Sequence, residues 1–227
     1  MKRAQSRMFR RLASRSHKYP RADLQPLLKR AIISAILCAW TSILEEDDDG
    51  VELDEDDLTA LLEDYLNEIL NDGNNLFQNV VRDACVTSYN GEELHKRPDL
   101  AFRLADQRDP EYAWFAECKV VSREARVSKY LTHGVQRFID GDYAWAMPSS
   151  LMVAYADHGY TPSDKLAKSM KRNKFGKLED ASSLCNEEHE LWSSSHERDW
   201  CYPDTEKSPG PITLYHLWLN VDEYSAD

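Results

Sequence analysis

Two runs of period two, separated by a short polar stretch, constrain this chain more than any other feature. Residues 98–104 place Pro98, Leu100, Phe102 and Leu104 on one face of an extended segment and Asp99, Ala101 and Arg103 on the other. Residues 112–121 repeat the pattern, with Tyr112, Trp114, Ala116, Cys118 and Val120 on one face and Ala113, Phe115, Glu117, Lys119 and Val121 on the other. Asp109-Pro110, between the runs, is a turn signal, so a hairpin is the economical connection and would set Asp99 beside Glu117. Glu117 and Lys119 then share a face with Asp99, turned away from the core.

Two carboxylates and an amine converging in this way define a chemistry. Oxygen donors at that density suit a hard cation such as Mg2+ or Mn2+, and a lysine beside such an ion can position or activate the water it carries. That is the chemistry of phosphodiester hydrolysis. The plain alternative is a surface hairpin whose charges are simply solvated.

Pro98-Asp99, seventeen intervening residues and then Glu117-Cys118-Lys119 resemble the PD-(D/E)xK nuclease superfamily. The resemblance implies a restriction-endonuclease-like α/β (α+β) core, with a central mixed β-sheet flanked by helices and a helical N-terminal region. It implies a Mg2+- or Mn2+-dependent hydrolase in which Asp99 and Glu117 hold the metal, the Cys118 carbonyl adds a ligand, and Lys119 assists the attacking water. Superfamily members often place a glutamate on a helix before the first strand. Glu68, at the flank of the apolar stripe of the second helix, is the residue selected for that role, Glu63 lying further round toward solvent. Some relatives carry a Q-x-x-x-Y element on the helix after the lysine; here Gln136 is followed by Asp140, so that element is absent. Gln136 and Arg137 remain candidates for contact with a phosphate. By analogy the expected substrate is DNA, and defence against foreign DNA, as in antiviral systems, is a setting such domains occupy. The competing reading is an inactive nuclease-fold subunit that serves as a nucleic-acid or protein interaction module; an acidic regulatory protein docking through a basic arm is a second rival.

Charge distribution bears on the partner. The net charge of −12 argues against a polyanion, yet residues 1–30 carry ten Lys or Arg against the single Asp23, a local +9 that leaves −21 on the remainder. A basic arm on an acidic body fits a nucleic-acid contact or an acidic partner. An Arg- and Ser-rich start also resembles an organelle transit peptide. The five cysteines, at 38, 85, 118, 185 and 201, lack the regular pairing of a secreted framework, which favours reduced thiols and a cytoplasmic setting.

The domain expectation is a flexible basic arm over residues 1–20 and one nuclease-like domain over 21–227, helical over 21–72 and α/β over 76–227. Leu24, Leu27, Leu28, Ile32, Ala35, Ile36, Ala39, Trp40 and Ile43 give a helical period between Ala22 and Glu46. Its apolar run AIISAILCAWTSIL, about fourteen residues over 31–44, is shorter than the roughly twenty residues that span a bilayer, so a core helix and no membrane partner are expected. The acidic run EEDDDGVELDEDD reads as a solvated loop without the EF-hand pattern. A second helix over about 55–71 carries Leu58, Leu61, Leu62, Tyr65, Leu66 and Ile69, closing at Asp72-Gly73. Val80-Val81 and Ala84-Cys85-Val86 are candidates for the first strand. Tyr130, Leu131, Val135, Phe138 and Ile139 predict a crossover helix that feeds a buried strand at 151–157.

A basic helix over 163–180, with Lys165, Lys168, Lys171 and Arg172, is a candidate phosphate-tracking surface anchored by Leu166, Met170 and Phe175. Residues 181–210 read as a Ser-rich loop. Cys185, His189, His196 and Cys201 lack the close clamp of a zinc site, and His196 and Arg198 are secondary candidates for a phosphate site. Alternation over 211–221 gives a final strand. A protein partner or self-association is compatible with this pattern.

Overall fold

The structure, a computed structural model, describes residues 19–46, 54–71, 77–93, 95–104, 111–122, 124–157, 159–185, 189–203 and 205–220. Residues 1–18 of the basic arm, the Asp109-Pro110 turn, the Asp72-Gly73 helix stop and most of the acidic run lie outside the described residues. Tyr19, assigned from sequence to the arm, is buried against Trp145 and Tyr202, so the packed body includes it.

Helices α1 (Pro26–Glu46) and α2 (Glu55–Asn71) precede a sheet of strands β1 (Asn79–Arg82), β2 (Leu100–Arg103), β3 (Ala113–Val121), β4 (Ser149–Ala156), β5 (Glu179–Asp180), β6 (Leu191–His196) and β7 (Ile212–Asn220). Their order across the sheet is β1-β2-β3-β4-β7-β6-β5. The centre, β3-β4-β7, is parallel, and both flanks are antiparallel. A parallel neighbour requires a crossover. It is supplied between β3 and β4 by α3 (Glu124–Lys129), a π-helical turn (Tyr130–Val135) and α4 (Gln136–Ile139).

Alternation divides the apolar residues between two cores. Leu100, Phe102, Trp114, Ala116, Cys118, Leu151, Val153, Tyr155, Leu217 and Leu219 face α1 and α2. Ala101, Phe115, Val121, Met152, Ala154 and Leu214 face the crossover helices and α5 (Ala167–Asn173). The result is a mixed sheet with helices packed on it, an α/β architecture. This corrects one expectation. The Glu117 face of β3 is a second core, not a solvated surface, and Glu117 itself is fully buried.

α1 is long and apolar enough to meet the length and composition test for a membrane span. Ile32, Ile33, Ile36, Trp40 and Ile43 are nevertheless buried in the sheet core, and the Trp40 indole N–H donates to the Asn220 carbonyl (3.0 Å). α2 is capped by Asp54, the residue before it, whose Oδ1 accepts from the N–H groups of Asp56 and Asp57 (2.9 and 3.0 Å). Glu55, Asp56 and Asp57 occupy its first turn, where the helix dipole favours negative charge. Leu58, Leu62 and Leu66, spaced by four, are buried and hold α2 on the sheet.

Two departures from the expected elements have local causes. The basic helix ends at Asn173, because Lys174 adopts a left-handed backbone (φ 60°). β6, read from sequence as loop, is LWSSSH and pairs antiparallel with β7. Its serines mask the period, and its polar inward groups are met by a buried chain. Ser194 Oγ lies 2.7 Å from His196 Nε2 and 2.7 Å from His216 Nε2, and His216 Nδ1 lies 2.8 Å from the Tyr130 hydroxyl. Burial pushes His196 down to about 4 and His216 to about 3, so both imidazoles are neutral near pH 7.

Leu62→Ala should therefore destabilise the fold by about 3 kcal/mol, the usual cost of truncating a buried leucine. Urea unfolding monitored by tryptophan fluorescence measures it, and a loss below about 1 kcal/mol would show that the leucine stripe does not anchor α2.

Candidate active site

β2 pairs with β3 only from Leu100↔Ala116 to Arg103↔Ala113, whereas β3 runs on to Val121 against β4. The edge of β3 beyond Ala116 therefore opens into a fork, and its backbone donors need other acceptors. Two carboxylates supply them. Asp99 Oδ2 accepts from Cys118 N–H (2.6 Å), and Glu55 Oε2, from the first turn of α2, accepts from Val120 N–H (3.0 Å).

Lys119 lies between these acids. Its Nζ is 2.7 Å from Glu55 Oε1, 3.2 Å from Glu117 Oε1 and 3.4 Å from Asp99 Oδ2, and it donates to the Cys118 carbonyl at 2.5 Å. On the inner side, Glu117 Oε1 accepts from Arg137 Nη1 (2.8 Å) and Glu117 Oε2 accepts from the Tyr143 hydroxyl. Arg137 Nη1 also lies 3.3 Å from the Tyr143 oxygen. Exposure rises outward through the cluster: Glu117 0%, Lys119 14%, Asp99 25%, Glu55 35% and Arg137 43%.

Backbone geometry allows the helix to approach this closely. Gly134, in the π-helical turn, sits over β4, and a Cβ there would come 2.5 Å from Met152 Cε and 3.8 Å from Glu117 Cγ. Tyr143 precedes Ala144, a buried alanine in the left-handed region (φ 54°), a strained conformation for a residue with a Cβ.

The charges are unbalanced. Glu55, Asp99 and Glu117 face Lys119 and Arg137. Burial, then the charge of Asp99, pushes Glu117 up to about 7, against the pull of Lys119 and Arg137. Burial also raises Asp99, although Lys119 and the Cys118 N–H oppose the rise. Burial would lower Lys119, but Glu117, Asp99 and Glu55 outweigh it and hold the ammonium above its ordinary value. Lys119 is consequently a proton-bearing cation at neutral pH, and the Cys118 thiol, raised by burial, is protonated.

These donors fit a hard divalent cation in kind. They are oxygen atoms, they already surround one cation, and two of the carboxyls are raised by burial and crowding. Among the described residues no group of three His, Cys, Asp or Glu side chains converges as a ready cage, and both Glu117 oxygens are engaged by donors from the protein.

The structure thus brings Asp99, Glu117, Cys118, Lys119 and Arg137 together. Glu68 is not with them. It is exposed, thirteen residues or about 20 Å along α2 from Glu55. There it neighbours Tyr65, whose hydroxyl is pushed up to about 12, first by its hydrogen bond to Glu46. The helical acid at the site is Glu55, which lies one turn before Leu58 in line with Leu62 and Leu66, on the face that packs against the sheet. Its sequence signals are that spacing and its place one residue after an Asp N-cap. Tyr143 carries no signal in the sequence that would have selected it.

Gln136 is tied to Asp140 (2.8 Å). Lys165 lies over the Tyr160 ring (4.6 Å), Lys168 pairs with Asp164 (2.5 Å), and Lys171 and Arg172 are exposed in the last turn of α5. Leu166 and Met170 are buried beneath them in the second core, with Phe175 at its edge. His196 belongs to the buried chain described above. Arg198 is buried, and its guanidinium donates to the carbonyls of Gly210, Pro209, Met147 and Trp145 (2.9, 2.9, 3.3 and 3.4 Å), which makes it a loop fastener and removes it from the phosphate candidates.

In comparisons with protein-family models, with curated proteins and with solved structures, nothing matches this chain.

The raised Glu117 has a stability consequence. Its folded pKa of about 7 exceeds the ordinary 4.5, so between these values the folded protein keeps a proton that the unfolded chain has released. Stability therefore falls as pH rises through that window, by on the order of 3 kcal/mol at most. Chemical denaturation from pH 4.5 to 8 should show this decline in the wild type and a shallower one in Glu117→Gln. Equal slopes would mean that Glu117 is ionised throughout.

Proposed function

We propose that this protein is a divalent-metal-dependent nuclease of the PD-(D/E)xK type, with DNA as its substrate. The observation that carries the reading is the fork itself: Asp99, just before β2, and Glu117, on β3, converge with a helical acid, Glu55, on the ammonium of Lys119. A cation held by Asp99 and Glu117, with the Cys118 carbonyl beside them, would polarise the scissile phosphate and make its bound water more acidic.

The chain's own groups divide the remaining work. Lys119 bears its proton, so it donates a hydrogen bond to orient the attacking water and opposes the negative charge that develops on the phosphate oxygens. It is not the base. Glu55, the more exposed acid on the far side of Lys119, is an acceptor suited to take the water proton. The basic surface of α5 and of the π-helical turn before it (Pro162–Leu166), with Lys165, Lys168, Lys171 and Arg172, supplies contacts along the polyanion, and residues 1–18 add cations by sequence.

One observation favours a second reading. Arg137 and Tyr143 already satisfy Glu117, the arrangement expected if the fold were retained as an inactive interaction module. Cleavage of plasmid and linear DNA, with magnesium titrated calorimetrically alongside, separates the two. For the nuclease, Asp99→Ala and Glu117→Ala each abolish magnesium-dependent cleavage. Lys119→Ala retains metal binding and loses turnover by a hundredfold or more, on the order of one lost charge-stabilising donor. Cleavage that persists in EDTA, or in Glu117→Ala, would sink the nuclease reading.

Binding measured against salt tests the basic surface separately. Lys168→Ala with Lys171→Ala should lower the slope of log K by about 0.9 for each duplex phosphate that the pair neutralises in the wild type. An unchanged slope would remove this pair from the interface.

A further inference from the structure

Arg137 is placed between two kinds of partner. Toward the interior, Nη1 reaches the fully buried Glu117 carboxylate (2.8 Å) and the Tyr143 oxygen (3.3 Å). Toward the exterior, 43% of its side chain is exposed. Both inner contacts use the same nitrogen, so the pair with Glu117 is single-pronged, although guanidinium offers five donors in a planar fork that matches a phosphate in a two-pronged manner. Its neighbour Gln136 is engaged with Asp140 and does not compete for Glu117. Lys119 and Tyr143 also contact Glu117, so the carboxylate keeps partners when Arg137 leaves.

We propose that Arg137 is a substrate-operated latch, holding Glu117 when no nucleic acid is bound and moving its guanidinium to a backbone phosphate when one is, which frees a Glu117 oxygen for a divalent cation. This rests on the nuclease reading and deepens it. The physical warrant is exclusion: Glu117 Oε1 already accepts from Arg137 and lies 3.2 Å from Lys119, so a third cation there must displace one of them. Of the two, Lys119 is fixed by Glu55 and the Cys118 carbonyl, whereas Arg137 has an exposed, long side chain that can rotate outward without moving the backbone. Nucleic acid and metal then favour each other's binding, and the coupling must be reciprocal.

The experiment compares wild type with Arg137→Gln, after confirming cooperative unfolding of both. Calorimetry with Mg2+ is run with and without a short duplex whose phosphonate linkages cannot be hydrolysed, and duplex affinity in EDTA is measured against salt. Without duplex, Arg137→Gln should bind Mg2+ at least fivefold more tightly than wild type. Its duplex affinity should fall, with a salt slope smaller by about 0.9, the value of one phosphate. The duplex should tighten Mg2+ binding several-fold in wild type, and this enhancement should vanish in the variant.

A variant whose Mg2+ affinity, salt slope and coupling all match wild type overturns the latch, and if magnesium-dependent cleavage persists in that case the nuclease reading survives it. Absence of Mg2+ binding by either protein, with or without duplex, removes the nuclease reading and the latch together. Should Arg137→Gln fail to fold, the wild-type coupling alone decides: a duplex that leaves Mg2+ affinity unchanged overturns the proposal.

Discussion

The divergence of β2 from β3 beyond Leu100 is the constraint on which the rest of the site depends. A strand edge left in the middle of a sheet carries N–H groups that burial would penalise, and the Cys118 and Val120 amides are in that position. The chain answers with carboxylates instead of carbonyls. Asp99, just before β2, and Glu55, at the start of α2, each accept one of these amides and thereby have their remaining valence directed at Lys119. Repair of a broken ladder and assembly of a charged cluster are thus a single event. It depends in turn on the position of α2, since Glu55 reaches Val120 only because Leu58, Leu62 and Leu66 seat the helix on the sheet.

Much of this is legible in sequence because strands alternate with period two. The faces of Asp99, Glu117 and Lys119, the core faces of β2 and β3, and the crossover from β3 to the parallel β4 follow from that rule and from the length of the connection. Periodicity reports which residues share a face; it does not report what covers that face. For this reason the sequence turns Glu117 away from the core, although the π-helical turn with Gly134 lies over it.

The helical acid escapes the sequence for a related cause. By period Glu55 is in line with Leu58, Leu62 and Leu66, but in sequence it closes an acidic run that reads as solvated, and only the fold brings the Val120 amide and Lys119 to it. β6 is hidden because its inward positions include Ser194 and His196, whose polarity is matched only by His216 and Tyr130, distant in sequence. Arg198 illustrates the same limit. In sequence an arginine beside a histidine resembles an anion contact, and only the fold reveals that its partners are four backbone carbonyls.

The chain from Tyr130 through His216 and Ser194 to His196 also acts as an alignment key for the far half of the sheet. Sliding β6 by one residue against β7 would turn Ser194 and His196 to the opposite face and set Trp192 and Leu191 in exchanged environments, so His216 would keep Tyr130 at Nδ1 but lose its partner at Nε2. An apolar pairing of the same strands could tolerate such a slip, because greasy contacts are nearly interchangeable along a strand. Here a misaligned arrangement is marked by unmet polar groups, so the Ser-rich β6 has a defined register despite its small apolar surface.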